Sequence, residues 1–377
     1  MNFCDSVRCH NGSFRIMLVG DVHEHFDYAG DGQRQYNDYV RLMDAALAQE
    51  KPDLVVMMGD IANADGPARL RVTIENAVAP ITRHKIPFAV IFGNHDGESG
   101  MPQKEHAKLY RNMPYCVFQA EDAVIGFRDD YFLPLVDEAG NAVFGFWFLN
   151  SGSGGGERSV YAYMTREQLK WYEDVSAELK TRYGTAFRTM VFQHIPVIEE
   201  YRLTKRVGPL SILYDGVKGL NWTKGKYFRL DKKKASGYLG EAPATPDINS
   251  GQFDSWVQTG NVMAAFFGHD HMNDIVGKVD GITLGQCKTA GFRPYGDGLQ
   301  QGVRIIDLDL SGTEPQMQTR MVRYRSFYGR DCESVRGMTR YLPDRWSTKI
   351  DVLVQYVLPF SAAVAGASFL AKKIFHG

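Results

Sequence analysis

The chain reads as an α/β fold, and three observations predict it. Short apolar runs recur, and each stops at Gly-Asp, Gly-Asn or a histidine. Segments with helical periodicity separate the first three runs. Strand, helix, strand, helix, strand in that order implies a parallel sheet with right-handed crossovers.

The elements follow in chain order. Arg15 to Val19 is an apolar strand ending at Gly20-Asp21. Gln35 to Glu50 repeats Tyr39, Leu42, Met43, Ala46 and Leu47 at helical spacing. Asp53 to Met58 is a second strand, ending at Gly59-Asp60. Pro67 to His84 is helical, with Pro67 in its first turn. Phe88 to Phe92 is a third strand, ending at Gly93-Asn94. Tyr115 to Phe127 and Ala142 to Leu149 have β character. Thr165-x-x-Gln168 is a capping box opening a helix to Arg182, with Leu169, Tyr172, Val175 and Leu179 on one face. Phe187 to Phe192 is a strand ending at His194, Gly251 to Thr259 a short helix, and Val262 to Phe267 a strand ending at Gly268-His269. Ile275 to Leu284 and Val303 to Leu308 suggest further strands. Ser151 to Gly156 reads as a flexible glycine-rich loop. Pro196 to Ser250 has few periodic signals, and a loop that long is functional or disordered.

These signals divide the chain into a polar tail (1–13), one large domain (14–315) with a basic insert (201–250), an Arg-rich connector (316–350) and an apolar C-terminal helix (351–377). Hydrophobic residues make up 44% of the 377, so a sizeable core is expected. The net charge of −1 carries no specific signal for nucleic acid. Tyr201 to Ala235 nevertheless holds ten Lys/Arg against two Asp, either a solvated face or a lid, with Tyr201, Tyr214, Trp222 and Tyr227, that recognises an anion. The five cysteines are odd in number and form no C-x-x-C pair, so neither a disulfide framework nor a cysteine zinc site is indicated, which fits a reducing compartment. Met1 to Phe14 has no apolar signal core, so a cytoplasmic-side location is expected. Val352 to Ala371 runs for twenty residues without a charge. It reads as a candidate membrane-associated segment, with a buried or interfacial helix as the alternative. The arginines before it (Arg320, Arg323, Arg325, Arg330, Arg336, Arg340 and Arg345) would then face an anionic leaflet.

The chemistry concentrates at the run ends. Asp21-Val22-His23, Gly59-Asp60, Gly93-Asn94-His95-Asp96, Gln193-His194 and Gly268-His269-Asp270-His271 supply five imidazoles, two leading carboxylates and one carboxamide. In open α/β sheets, ligand sites form beyond the carboxyl ends of strands, so these residues can converge. A lone strand-end histidine or Gly-Asp turn means little; the ordered set is what points to a two-metal hydrolytic site. Asp96 is either a partner that orients His95 or a turn carboxylate. Asp270, between two candidate ligands, is a supporting residue rather than a catalytic one. His25, His84 and His106 are expected at the surface.

Together the phrases GDVH, GDIANADG, FGNHDGES, QHIPVIEEY and FFGHDHMND resemble the calcineurin-like metallophosphoesterase superfamily, in the purple-acid-phosphatase-related branch that includes cell-cycle protein phosphatases. The resemblance covers about Phe14 to Leu310. It implies a four-layer α/β/β/α sandwich of two mixed β-sheets. It assigns one metal to Asp21, His23, Asp60 and His271, and a second to Asp60, Asn94, His194 and His269. Asp60 would bridge the two, and His95 would stand beside them as the catalytic residue. The donors suit Mn, Fe, Zn or similar ions. Asn63 departs from the family pattern, because purple acid phosphatases carry a ferric-iron tyrosinate there. No arginine follows Gly59-Asp60 before Arg69, unlike calcineurin-type protein phosphatases.

The resemblance therefore implies a phosphoric monoester hydrolase in which a metal-bridging hydroxide attacks phosphorus in line. Two alternatives stay open: a phosphodiesterase acting on a nucleotide or phospholipid head group, and a non-catalytic scaffold on the same fold.

Overall fold

The computed structural model describes residues 6–25, 27–118 and 129–335. Two mixed sheets pack face to face, with helices on both outer faces. The five-stranded sheet has the order Gln316–Arg323, Gly302–Asp309, Ser13–Val19, Leu54–Met57, Phe88–Val90. Its last three strands are parallel, and Gly302–Asp309 runs antiparallel to both its neighbours. The eight-stranded sheet has the order Val7–Arg8, Tyr131–Val136, Ala142–Leu149, Thr189–Gln193, Val262–Phe267, Ile282–Gln286, Val276–Val279, Ala235–Ser236.

Period-two alternation explains the layers. Phe144, Phe146 and Phe148 face the core shared with the first sheet, as do Met190, Phe192, Ala264 and Phe266. Their neighbours Trp147, Leu149, Val191, Ala265 and Phe267 face an outer core under the helices Arg166–Tyr183 and Gln252–Thr259. Both faces of the central strands are buried, which is why they read as continuous apolar runs. On the other side, Asp31–Glu50 and Pro67–Arg83 cover the first sheet through Tyr39, Leu42, Leu70 and Ile74.

Register then brings the motifs together. Val19, Met57 and Val90 stand level across three parallel strands. The chain therefore leaves the sheet for Asp21, Asp60 and Asn94 at one edge. Leu149, Gln193 and Phe267 stand level in the other sheet, so His194 and His269 emerge side by side.

Several expectations need revision. Pro196 to Ser250 is folded: Ile198–Leu203 forms a short 3-10 turn, and Thr204–Val207, Tyr227–Leu230 and Val217–Lys218 form a three-stranded antiparallel sheet. Leu203, Val217, Phe228 and Leu230 bury its inner face. Three short strands joined by polar turns leave little periodic signal. Gln316–Arg323, set apart in sequence as the start of a connector, is an edge strand with alternating exposure. Tyr324 behind it is buried, its hydroxyl 2.9 Å from Asp38. Asp38 also accepts from the backbone N–H groups of Glu333 and Ser334, tying this segment to the first helix. Tyr131–Val136 was missed, because Pro134 reads against a strand. Of Tyr115 to Phe127, only Cys116 makes a β-bridge among the described residues, to Phe88; the stretch after 118 lies outside them. The hairpin from Val276 to Gln286 turns at Asp280-Gly281, both at positive φ, the chemistry a tight turn requires. Among the described residues, no helix is long and apolar enough to cross a membrane; Val352 to Ala371 lies outside them.

Candidate metal centre

All eight expected residues meet between the strand ends of the two sheets. Asp21, His23 and His271 form one group whose ligand-capable atoms lie within 4.8 Å of one another, and Asp60, His194 and His269 form a second. Asp60 lies between the groups: its Oδ2 is 3.2 Å from His194 Nε2 and 3.6 Å from His23 Nε2. Asn94 Oδ1 is 3.0 Å from His194 Nε2. Asp21 Oδ1 is 3.6 Å from His271 Nε2.

The backbone aims these groups, at some conformational cost. Asp21, His23, Asp60 and His269 all adopt positive φ, between 46° and 72°. Side chains rarely adopt that region, and strain of this kind gathers at functional sites. Gly59 (φ 90°) and Gly93 supply room: a Cβ on the first would strike His194, and on the second the Asp60 carboxylate.

Hydrogen bonds fix which ring atoms face inward. His194 Nδ1 sits 2.8 Å from the Met58 carbonyl, and His271 Nδ1 sits 2.9 Å from the Tyr295 carbonyl. A carbonyl only accepts, so each Nδ1 carries the proton and each Nε2 is aimed at the carboxylates. The His269 N–H donates to both Asp21 oxygens at 3.1 Å, and the His95 N–H to Asp60 Oδ1 at 2.8 Å.

The electrostatics favour a cation. Burial lowers His23 to about 4 and His271 to about 3, and holds His269 well below its ordinary value. These rings are neutral and offer lone pairs. Burial also works against charge on His194, yet Asp60 and Asp21 raise it to about 10. Asp60 is lowered despite its burial, chiefly by His194. Desolvation raises Asp21. A proton on His194 thus occupies the position where a cation would satisfy the same carboxylates. His23 Nε2 and His269 Nε2 are buried without a hydrogen-bond partner, and buried Asp60 Oδ2 makes no hydrogen bond beyond its 3.2 Å ion pair with His194. Buried polar atoms are normally satisfied, so these convergent, under-satisfied metal-capable donors fit ions at this point.

His95 stands beside the groups, its ring 5.4 Å from that of His23 and its side chain half exposed. Its partner is not Asp96. Asp96 accepts from the N–H groups of Asp60, Ile61 and Gly93 at 2.7–2.9 Å and stitches two ligand loops together. The residue on His95 Nδ1 is Glu98, at 2.5 Å. Glu98 in turn accepts from Asn63 Nδ2 at 2.7 Å. Sequence reading passed over Glu98, though its i+3 spacing from His95 was visible. It also passed over Tyr161, whose ring edge meets His269 at 4.4 Å, and Tyr295, which stacks on His271 at 4.2 Å. Nothing local in sequence marks those two tyrosines. Asp270 faces away from the centre, toward Asn273, Gln286 and the Ala244 N–H. His25 and His84 are partly exposed. His106 is buried between Phe92 and Tyr110, because its helix packs this face inward.

Comparison with known proteins places the chain in a family. The family model described as calcineurin-like phosphoesterase matches residues 14–273. The chain belongs to the calcineurin-like phosphoesterase family. It is 26% identical over 341 residues to a protein of Arabidopsis thaliana named probable inactive purple acid phosphatase 14, covering 80% of this chain and 77% of that one. It is 24% identical to phosphatase DCR2 of Saccharomyces cerevisiae, over 70% of this chain and 45% of that one. Among solved structures, a dimetal phosphatase from Danio rerio aligns with 82% of this chain and 99% of its own, at 14% identity and a TM-score of 0.48.

Proposed function

We propose that the protein is an active, metal-dependent phosphoric monoester hydrolase. One observation carries the reading: both donor groups are complete, with buried lone pairs converging on two points flanking Asp60. Asp21, His23, Asp60 and His271 would hold one ion; Asp60, Asn94, His194 and His269 would hold the other. When bound, such a pair lowers the pKa of a water molecule and offsets charge on phosphoryl oxygens.

The chain's own residues do the rest. His95, with Nδ1 committed to Glu98, stands beside the centre, its ring 5.4 Å from that of His23, and its opposite nitrogen is left for the substrate. There it protonates the leaving oxygen or stabilises the phosphoryl oxygens. Asn63 holds Glu98. A tyrosine at 63 would give a ligand to iron; an asparagine gives a support for the His95 partner, so the protein should be colourless.

The test is hydrolysis of p-nitrophenyl phosphate against bis-p-nitrophenyl phosphate by the manganese-loaded chain. Faster cleavage of the monoester is expected. The reverse ratio would make it a diesterase, and no turnover with any divalent ion would make it a non-catalytic member of its family.

A further inference from the structure

The basic insert lines an open cavity of about 420 Å³. The three-stranded sheet forms one side and residues 237–242 the other. Its lining is mostly apolar: Ile212, Val217, Leu220, Leu230, Leu239 and Ala242 contribute. That size and character match small-molecule sites, which run roughly 300–1,000 Å³. Leu220 and Tyr214, both in the lining, are 43% and 71% exposed, so apolar surface continues to the rim.

The charges at the cavity do not cancel. Lys218 and Lys232 belong to the lining and are exposed, and neither forms an ion pair among the described residues. Of the two lining acids, Asp215 faces Arg229 at 4.0 Å. Glu241 accepts from the Met272 N–H and the Tyr295 hydroxyl at 2.8 and 2.7 Å. With Arg229 counted, three cations stand against two carboxylates, leaving one positive charge, and Lys218 and Lys232 are the cations at the rim. A sugar phosphate would leave the apolar walls unused, and a neutral hydrocarbon would leave the lysines unused.

We propose that this cavity binds an anionic amphiphile, with its aliphatic tail against Val217, Leu230 and Leu239 and its head group at Lys218 and Lys232. The proposal does not depend on the hydrolase reading. Glu241 links the cavity wall to the metal centre through Tyr295, which stacks on His271.

Calorimetric titration of the full chain with fatty acids below their micellar concentration tests it. Saturable binding at one site is expected, with each added methylene from hexanoate upward tightening it about fourfold until the cavity is full. Lys218→Ala and Lys232→Ala should each weaken decanoate by about 2–5-fold, as exposed charges do, and leave decanol unchanged. Leu220→Glu, at an exposed position, should abolish decanoate binding without altering the melting temperature. The proposal is overturned if decanoate does not saturate, or if Leu220→Glu and Ile212→Trp both bind it like the parent. It is overturned equally if acetate or inorganic phosphate binds as tightly as decanoate. Binding only to anionic phospholipid vesicles would assign the patch to a membrane surface instead.

Discussion

His95 and Glu98 are joined through Nδ1 and Oε1 at 2.5 Å, and the other Glu98 oxygen is held by Asn63. The short bond fixes the tautomer and the ring plane of His95, which stands beside the centre and belongs to neither donor group. Glu98→Gln should therefore lower kcat by about 10–100-fold, the usual range for losing a supporting partner, with metal content unchanged. The loss should be larger for alkyl phosphates than for p-nitrophenyl phosphate, whose leaving group needs little protonation. Equal losses on both would give Glu98 a structural role only. His95→Ala should cost about 10²–10⁴-fold and also retain metal.

Asp96 has a different task, and its variant should fail differently. Asp96→Ala strands the buried N–H groups of Asp60, Ile61 and Gly93. At about 1–3 kcal/mol for each unsatisfied group, a loss of more than about 3 kcal/mol is expected. Urea denaturation measures it, and metal affinity should fall with stability. A variant of parental stability would contradict this account of the ligand loops.

Much of the centre was legible in the sequence because each expected ligand sits two or four residues beyond an apolar run, and register in parallel strands does the rest. Gln193 and Phe267, level in adjacent strands, deliver His194 and His269 without any long-range signal being needed. What was not legible depended on packing. Glu98 competes in sequence with the nearer Asp96, and only the fold turns Asp96 toward backbone N–H groups. His106 looks like any polar helical residue until Phe92 and Tyr110 enclose it. The insert hid its small sheet because strands of two to four residues carry too little alternation to read.

A buried carboxyl outside the two donor groups should shape the pH dependence of stability. Burial raises Glu200 to about 8, a hydrogen bond from Gln286 opposing this only in part. The folded chain keeps a proton that the unfolded chain releases near the ordinary value of 4.5. Stability contributed by this group is complete below that pH and is lost as pH rises toward about 8. Glu200→Gln should flatten that slope in the melting temperature; an unchanged slope would assign it to other groups.

The capping box at Thr165 offers a control outside the chemistry. Its side chain accepts from Gln168 N–H while Gln168 reaches back to the Thr165 N–H. Thr165→Ala should cost about 1 kcal/mol in denaturant titration and leave turnover unchanged. A change in turnover would couple this helix to the centre.

The central claim is that Asp60 and the imidazoles around it hold metal for hydrolysis of a phosphate ester. Metal analysis of the manganese-loaded chain and of Asp60→Asn, with p-nitrophenyl phosphate turnover measured on the same samples, tests it most directly. The account predicts close to two ions and steady turnover for the parent, and loss of metal and of turnover together for Asp60→Asn. A parent chain that binds no metal, or that binds it fully and turns over no ester, would contradict it.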